Sequence, residues 1–249
     1  MSLPLTASFP QSGSIVSRWK LNEASGSRVD DVGANDLTDN NTVGSATGQF
    51  GELAADFEAG SSESLSIADA SQSGLDITGD LSFAVWVKIE SAPGTYSIMG
   101  KGTPVEDNYR FFYRNSSGLK LNADFWNGAN ETDATVAQNL GTATWHHVVI
   151  VFDVSVPKIE IYVDGATVSA TTGVTNATSI ANGSGVFYLG ELAGALFFDG
   201  LMQDAIIWNT ALSGAEVLSL YDEYFVPSIT EVNLNRTPIR GVMRGVMRP

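Results

Sequence analysis

Trp145-His146-His147-Val148-Val149-Ile150-Val151-Phe152-Asp153, followed by Lys158-Ile159-Glu160-Ile161-Tyr162-Val163-Asp164-Gly165-Ala166-Thr167-Val168, decides how this chain is read. After its two histidines the first run is apolar through Phe152, which fits a strand covered on both faces. The second run alternates. Ile159, Ile161 and Val163 point one way and Lys158, Glu160 and Tyr162 the other, as a half-buried strand of period two requires. Pro157 sits in the link, where a missing N–H costs no ladder bond. Asp164-Gly165 offers the two positive-φ residues of a tight hairpin, and Ala166-Thr167-Val168 starts the return. The stretch reads as three consecutive antiparallel strands in the middle of a β-sandwich.

The same period recurs on either side. Leu81, Phe83, Val85, Val87 and Ile89 share one face of the longest clean alternation. Further strands are expected at Ile15–Leu21, Ala54–Phe57, Ser64–Ile67, Tyr96–Met99, Tyr109–Tyr113, Leu119–Trp126, Val186–Leu189, Phe197-Phe198 and Met202–Trp208. Residues 22–48 read as one long polar loop. Ser213 and Glu216 fit a capping box, and Leu212 with Val217 fits a hydrophobic staple, so a short helix should follow and close one end of the sandwich. The expected fold class is all-β: an antiparallel two-sheet β-sandwich, or jelly roll, with one short C-terminal helix and extended terminal arms. Its divisions are an N-terminal arm at 1–14, the sandwich at 15–226 and a basic arm at 227–249.

A chain of 249 residues can hold one large sandwich, and 25 glycines suit one with many tight turns. There is no cysteine, hence no disulfide framework, thiolate metal site or thiol nucleophile. A net charge of -15 argues against nucleic acid and anionic lipid as partners. No run approaches the roughly 20 apolar residues of a membrane span. Met1–Thr6 lacks the charged start and apolar run of a signal peptide.

Several pieces, in this order, resemble the laminin-G-like, concanavalin-A-like jelly-roll domains. They are Gly51–Phe57, Leu81–Val87, Ile98-Met99-Gly100-Lys101-Gly102, Trp145–Val149, Ile161–Gly165, Phe187–Gly190, and Phe198–Ser213 with Glu216 beyond. The resemblance covers roughly residues 15–222. It implies the fold; function stays open, because lectins, adhesion modules, glycanase domains and particle proteins share this fold.

The loop Asp30-Asp31-Val32-Gly33-Ala34-Asn35-Asp36-Leu37-Thr38-Asp39 concentrates oxygen ligands. It reads either as a calcium loop or as a solvated loop of Asx turns. The resemblance implies that Asp30 or Asp31 could meet Asp204, which stands where the family often has an acidic residue, around a calcium ion. Trp126 is out of phase with Leu119, Leu121, Ala123 and Phe125, so its ring should leave the core beside the Asn127-Gly128-Ala129-Asn130 loop. With Asp124, Asn127 and Asn130 it forms the candidate carbohydrate-binding set: a ring face for stacking, flanked by polar groups. Tyr96, Tyr109, Tyr113 and Tyr162 are expected to pack in the sandwich.

Catalysis is not expected. The strand-borne Glu-x-Asp-x-Glu triplet of glycanases on similar sandwiches is missing. His146 and His147, being neighbours on a strand, point to opposite faces and are expected to pack rather than share a proton. Arg236, Arg240, Arg244 and Arg248 recur every fourth residue without an acid among residues 236–249. They put +4 on the tail, so the other residues carry -19 of the -15 total. Such an arm can dock on an acidic neighbour by strand addition. The leading expectation is a non-catalytic, lectin-like component of a larger assembly, such as a phage particle. Its arms would bind other protein subunits and its surface would face a cell-surface glycan. The alternatives are a free calcium-dependent carbohydrate-binding protein and a glycan-cleaving enzyme.

Overall fold

The computed structural model describes residues 9–91, 94–103, 106–115, 117–168, 171–175 and 177–225. Among them the strands are β1 (Ile15–Trp19), β2 (Thr38–Asn40), β3 (Gly44–Thr47), β4 (Leu53–Phe57), β5 (Ser64–Ile67), β6 (Leu81–Ile89), β7 (Thr95–Thr103) and β8 (Glu106–Asn115). They continue with β9 (Leu119–Trp126), β10 (Glu131–Ala137), β11 (Trp145–Asp153), β12 (Lys158–Val163), β13 (Ala166–Val168), β14 (Thr171–Thr175), β15 (Val186–Leu189) and β16 (Gly200–Trp208). One helix, α1 (Gly214–Glu223), follows.

The strands form two antiparallel sheets. The first runs β13-β12-β11-β6-β16-β4-β3, with β1 also paired to β16; the second runs β14-β10-β9-β8-β7-β15-β5-β2. The hairpin of β12 and β13 turns through Asp164 and Gly165 at φ 53° and 76°, as the sequence predicts. The trio β11-β12-β13 lies at a flank of the first sheet, however, not in its middle. The doubly apolar β11 is its inner member, wedged against β6, and the apolar pattern fades towards the β13 edge.

Alternation sends one face of each sheet into a shared core. Phe83, Val85, Ile150, Phe152 and Ile161 of the first sheet meet Phe111, Leu121, Phe125, Phe187 and Leu189 of the second. Phe125 stacks on Phe152 across the gap, with ring centroids 4.0 Å apart. Tyr96, Tyr109 and Tyr113 also lie in this core. Phe198 belongs to it too, although Phe197-Phe198 forms no strand.

The outer face of the first sheet is apolar as well. Ala84, Trp86, Val149, Val151, Tyr162, Ile206 and Trp208 pack under Leu212, Val217, Leu220 and Tyr224. Helix α1 therefore covers this face rather than closing an end, because the face would otherwise leave two tryptophans in water. The capping box forms as read: Ser213 Oγ accepts from Glu216 N (3.3 Å) and Glu216 Oε2 accepts from Ser213 N (2.8 Å). Such a cap contributes about 1 kcal/mol.

The sandwich begins before residue 15. Phe9 is buried and stacks on Trp208, whose Nε1 donates to the Pro10 carbonyl. Residues 1–8 of the expected N-terminal arm and the whole basic arm, Arg236, Arg240, Arg244 and Arg248 included, lie outside the described residues. Strands β2 and β3 fall within the stretch read as loop; both are short and polar, with no apolar period to announce them.

Candidate functional site on the outer face of the second sheet

The alternation that fills the core pushes a different set of side chains outward from β8, β9 and β10. Tyr109, Phe111 and Tyr113 of β8, Leu121, Ala123 and Phe125 of β9, and Ala134 and Val136 of β10 point inward. Between them Arg110 and Phe112, then Asn122, Asp124 and Trp126, then Glu131, Asp133 and Thr135 point outward. The register stacks them in rows: Arg110, Asp124 and Asp133 in one, Phe112, Asn122 and Thr135 in the next, and Trp126 beside Glu131.

Arg110 holds the patch together. Its Nε donates to Asp124 Oδ1 at 2.5 Å, its Nη2 lies 3.9 Å from Glu131 Oε1, and its guanidinium lies 5.5 Å from the Phe112 ring centroid. Asn122 Nδ2 donates to the Ala134 carbonyl and Thr135 Oγ1, tying β9 to β10. Segments outside the strands bound the patch. Ala181 N donates to the Trp126 carbonyl, and a Cβ on Gly183 would stand 2.8 Å from Asn108 Oδ1. Leu192 crosses β7 at Gly100, the register neighbour of Arg110, so closely that a Cβ there would stand 2.7 Å from Leu192 Cδ1.

The structure puts Asp124 and Trp126 on the same outer face of β9. It assigns Asn127 and Asn130 to the tip of the β9–β10 hairpin instead. Asn127 Oδ1 accepts from Ala129 N and Asn130 N, at 3.0 and 2.7 Å, so that oxygen is spent on the turn. Glu131 and Asp133 escaped the sequence reading because β10 was not recognised, and Arg110 because its pairing with Asp124 is set by the β8–β9 register. The signal of β10 was present: Thr132, Ala134 and Val136 alternate with Glu131, Asp133 and Thr135.

Asp30, Asp31 and Asp204 are not gathered into one ligand set, which corrects that expectation. Asp204 is buried and takes two bonds from Arg18, Nε to Oδ1 and Nη2 to Oδ2, each 2.7 Å. Tyr224 Oη donates to Oδ2 at 2.9 Å. Burial alone would lower the Arg18 pKa; the hydrogen bond and charge of Asp204 hold it above its ordinary value. Arg18 thus supplies the positive charge that a cation would have supplied. Asp30 accepts from the backbone N–H groups of Arg18, Val32 and Asn35, and Asp31 pairs with Lys20. Among the described residues, Asp56, Glu58 and Glu90 form a group of three carboxylates with oxygens within 4.8 Å of one another. Burial raises the pKa of Asp56 and of Glu90.

The two histidines face opposite ways. His146 Nδ1 pairs with Asp164 at 2.8 Å, and that hydrogen bond raises its pKa. His147 is wholly buried among Trp86, Tyr221 and Tyr224, and burial lowers its pKa to about 3.

One sheet covered by a helix and the other turning Arg110, Asp124, Trp126 and Glu131 outward make a lectin-like β-sandwich. The chain belongs to the concanavalin A-like lectin/glucanases superfamily: the Laminin_G_3 family pattern matches residues 59–218. No curated protein sequence matches it. Among solved structures, domain 4 of AbnA, a GH43 extracellular arabinanase from Geobacillus stearothermophilus in complex with arabinotriose, is 20% identical. Its TM-score is 0.62, with 84% of this chain and 98% of that one covered. The binding domain of Paraclostridial Mosquitocidal Protein 1 is 12% identical at TM-score 0.66, covering 86% of this chain and 53% of that one. Trypanosoma rangeli sialidase in complex with sialic acid is 17% identical at TM-score 0.63, covering 91% of this chain and 36% of the sialidase. At these identities the likeness is one of fold.

Proposed function

We propose that the chain is a non-catalytic glycan-binding module whose ligand lies on the outer face of the second sheet. A sugar ring would stack on Trp126 while its hydroxyls bond Asp124, Glu131 and Asp133. The observation that carries this reading is the contrast between the faces: the first sheet is sealed by apolar packing, whereas β8–β10 present charged groups and an indole together. An indole beside hydrogen-bonding groups suits a sugar, which has both an apolar and a hydroxylated side. The arabinotriose complex of AbnA domain 4, a structure of nearly the same extent, agrees in kind. Trp126→Ala tests the reading. The variant should stay folded, with stability changed by about 1 kcal/mol or less, and should lose at least tenfold in affinity on a glycan array. Undiminished binding by that variant would place the ligand elsewhere.

The module is read as part of a larger assembly, such as a phage particle, because residues 236–249 carry +4 against -19 on the remainder. Opposite charge steers docking, and extended chain supplies backbone bonds. Removing residues 236–249 should then reduce the particle size seen by light scattering at physiological salt; an unchanged size would remove this reading. A calcium-dependent alternative would have to use ligands other than Asp30, Asp31 and Asp204 together.

A further inference from the structure

The tip of the β9–β10 hairpin carries Asn127 followed by Gly128, and the chain has one other asparagine before a glycine, Asn182-Gly183. Glycine has no Cβ to shield its backbone nitrogen, so an asparagine before it is open to attack on its side-chain carbonyl by the next amide. The two sites share this chemistry and differ in their surroundings.

Gly128 is exposed at φ 90°, and a Cβ on it would meet nothing within 4 Å. Asn127 Oδ1 accepts from Ala129 N at 3.0 Å and Asn130 N at 2.7 Å. When a nucleophile adds to Asn127 Cγ, that oxygen takes up the negative charge. Two backbone N–H groups already aimed at it are the arrangement that stabilises an oxyanion. Asn182 is exposed too, but its Nδ2, oriented by its neighbours, donates to both carboxylate oxygens of Asp76, at 3.2 and 3.3 Å. A negative charge there opposes both the approach of hydroxide and the developing oxyanion. Gly183 is pressed on Asn108, where a Cβ would stand 2.8 Å from Oδ1, and Asn108 Nδ2 in turn donates to the Ala181 carbonyl. Closing a ring at Asn182 must turn a peptide that is packed in place; at Asn127 it turns one in open space.

We propose that Asn127 is a site of spontaneous deamidation, converting to aspartate and isoaspartate faster than Asn182 because the hairpin supplies two donors to the oxygen that becomes negative. Solvent hydroxide takes the proton of the Gly128 backbone nitrogen, which adds to Asn127 Cγ as the carbonyl electrons move to Oδ1. Those electrons return, the Cγ–Nδ2 bond breaks, and Nδ2 takes a proton from water and leaves as ammonia. Water then opens the five-membered imide at either carbonyl. In isoaspartate the main chain runs through Cβ and Cγ, so the oxygen that held Ala129 N and Asn130 N becomes a backbone oxygen and the hairpin beside Trp126 must rearrange. The proposal does not depend on the glycan-binding reading.

Its test is incubation of the whole chain in mildly alkaline buffer, native and in urea. The amide-to-acid mass gain is followed on peptides carrying Asn127 and Asn182, and isoaspartate is counted by enzymatic carboxyl methylation. In the native protein Asn127 should convert about tenfold faster than Asn182, a modest factor for two oxyanion donors because water competes with them here. In urea the two rates should converge. Ala129→Pro, which removes one donor N–H, should slow native conversion of Asn127 severalfold. If that variant does not fold, the comparison of native and urea rates decides. Native conversion of Asn127 no faster than that of Asn182 would overturn the proposal. A difference that persists in urea would overturn it as well, since the fold would then not be its source.

Discussion

Each outer face of the sandwich carries an arginine–aspartate pair, and the two pairs live in different surroundings. Arg18 and Asp204 lie beneath the cover of the first sheet, with side chains 0% and 1% exposed. Arg110 and Asp124 lie on the open second sheet, at 23% and 8%. The chemistry is the same and the consequence differs. In the buried pair each charge has lost its water and depends on its partner, so removing one strands the other. In the second pair Asp124 is buried but Arg110 reaches solvent, so water shares part of the work and breaking the pair should cost less than breaking Arg18–Asp204. The covered face uses its charges to hold the fold; the second face leaves Arg110 and Glu131 partly exposed, where the proposed glycan site would lie.

The contrast is sharpest if the buried pair is broken. Asp204→Ala leaves Arg18 buried without a counter-charge and Tyr224 without its acceptor, and should cost about 3–5 kcal/mol in urea unfolding. The loss should be the same in calcium and in EDTA, since Arg18 occupies the carboxylate. A loss confined to calcium-containing buffer would mean that a cation, not Arg18, is its partner.

Acid should weaken the covered face next. The unfolded chain protonates His147 near pH 6.5, but in the fold burial holds that imidazole to about 3. Between those values the unfolded state binds a proton that the fold excludes. Stability therefore falls with pH by up to about 1.4 kcal/mol per unit. His146 works the other way. Its pKa is raised by Asp164, so its contribution is complete below the unfolded value and fades as pH rises through the folded one. His147→Leu should flatten the acid limb measured by urea unfolding at pH 6.5 and 4.5, by about 2–3 kcal/mol. An unchanged limb would show that other groups set it.

The smallest effect on stability belongs to the open face. Trp126→Ala, which removes the proposed stacking platform, should shift the unfolding midpoint least of these three substitutions. A loss as large as that of Asp204→Ala would mean that Trp126 is a structural residue and that the two faces are less distinct than described.

Much of this was legible in advance, for a local reason. Period-two alternation in β6, β9 and β12 is written residue by residue, and Ser213 with Glu216 marks the helix start through bonds only three residues apart. Trp126 could be placed outside the core by phase alone. Arg110, Glu131 and Asp133 could not be joined to Trp126 in the same way, because these four residues come from three strands and meet only through register. Asp204 illustrates the same limit more strongly. Its partner Arg18 is 186 positions away, and nothing near either residue announces the other.

By itself the sequence determined most of the long strands and the helix, their inward-facing residues, the tight turn at Asp164-Gly165 and the outward phase of Trp126. Each of these follows from the geometry of a few consecutive residues. Only the tertiary structure decided which face helix α1 would cover, that Asp204 would be spent on Arg18, and that Asp124 and Glu131 would face the Arg110 guanidinium beside the indole. Those outcomes depend on which strands lie side by side and in what register, and on desolvation that exists only once the layers have closed.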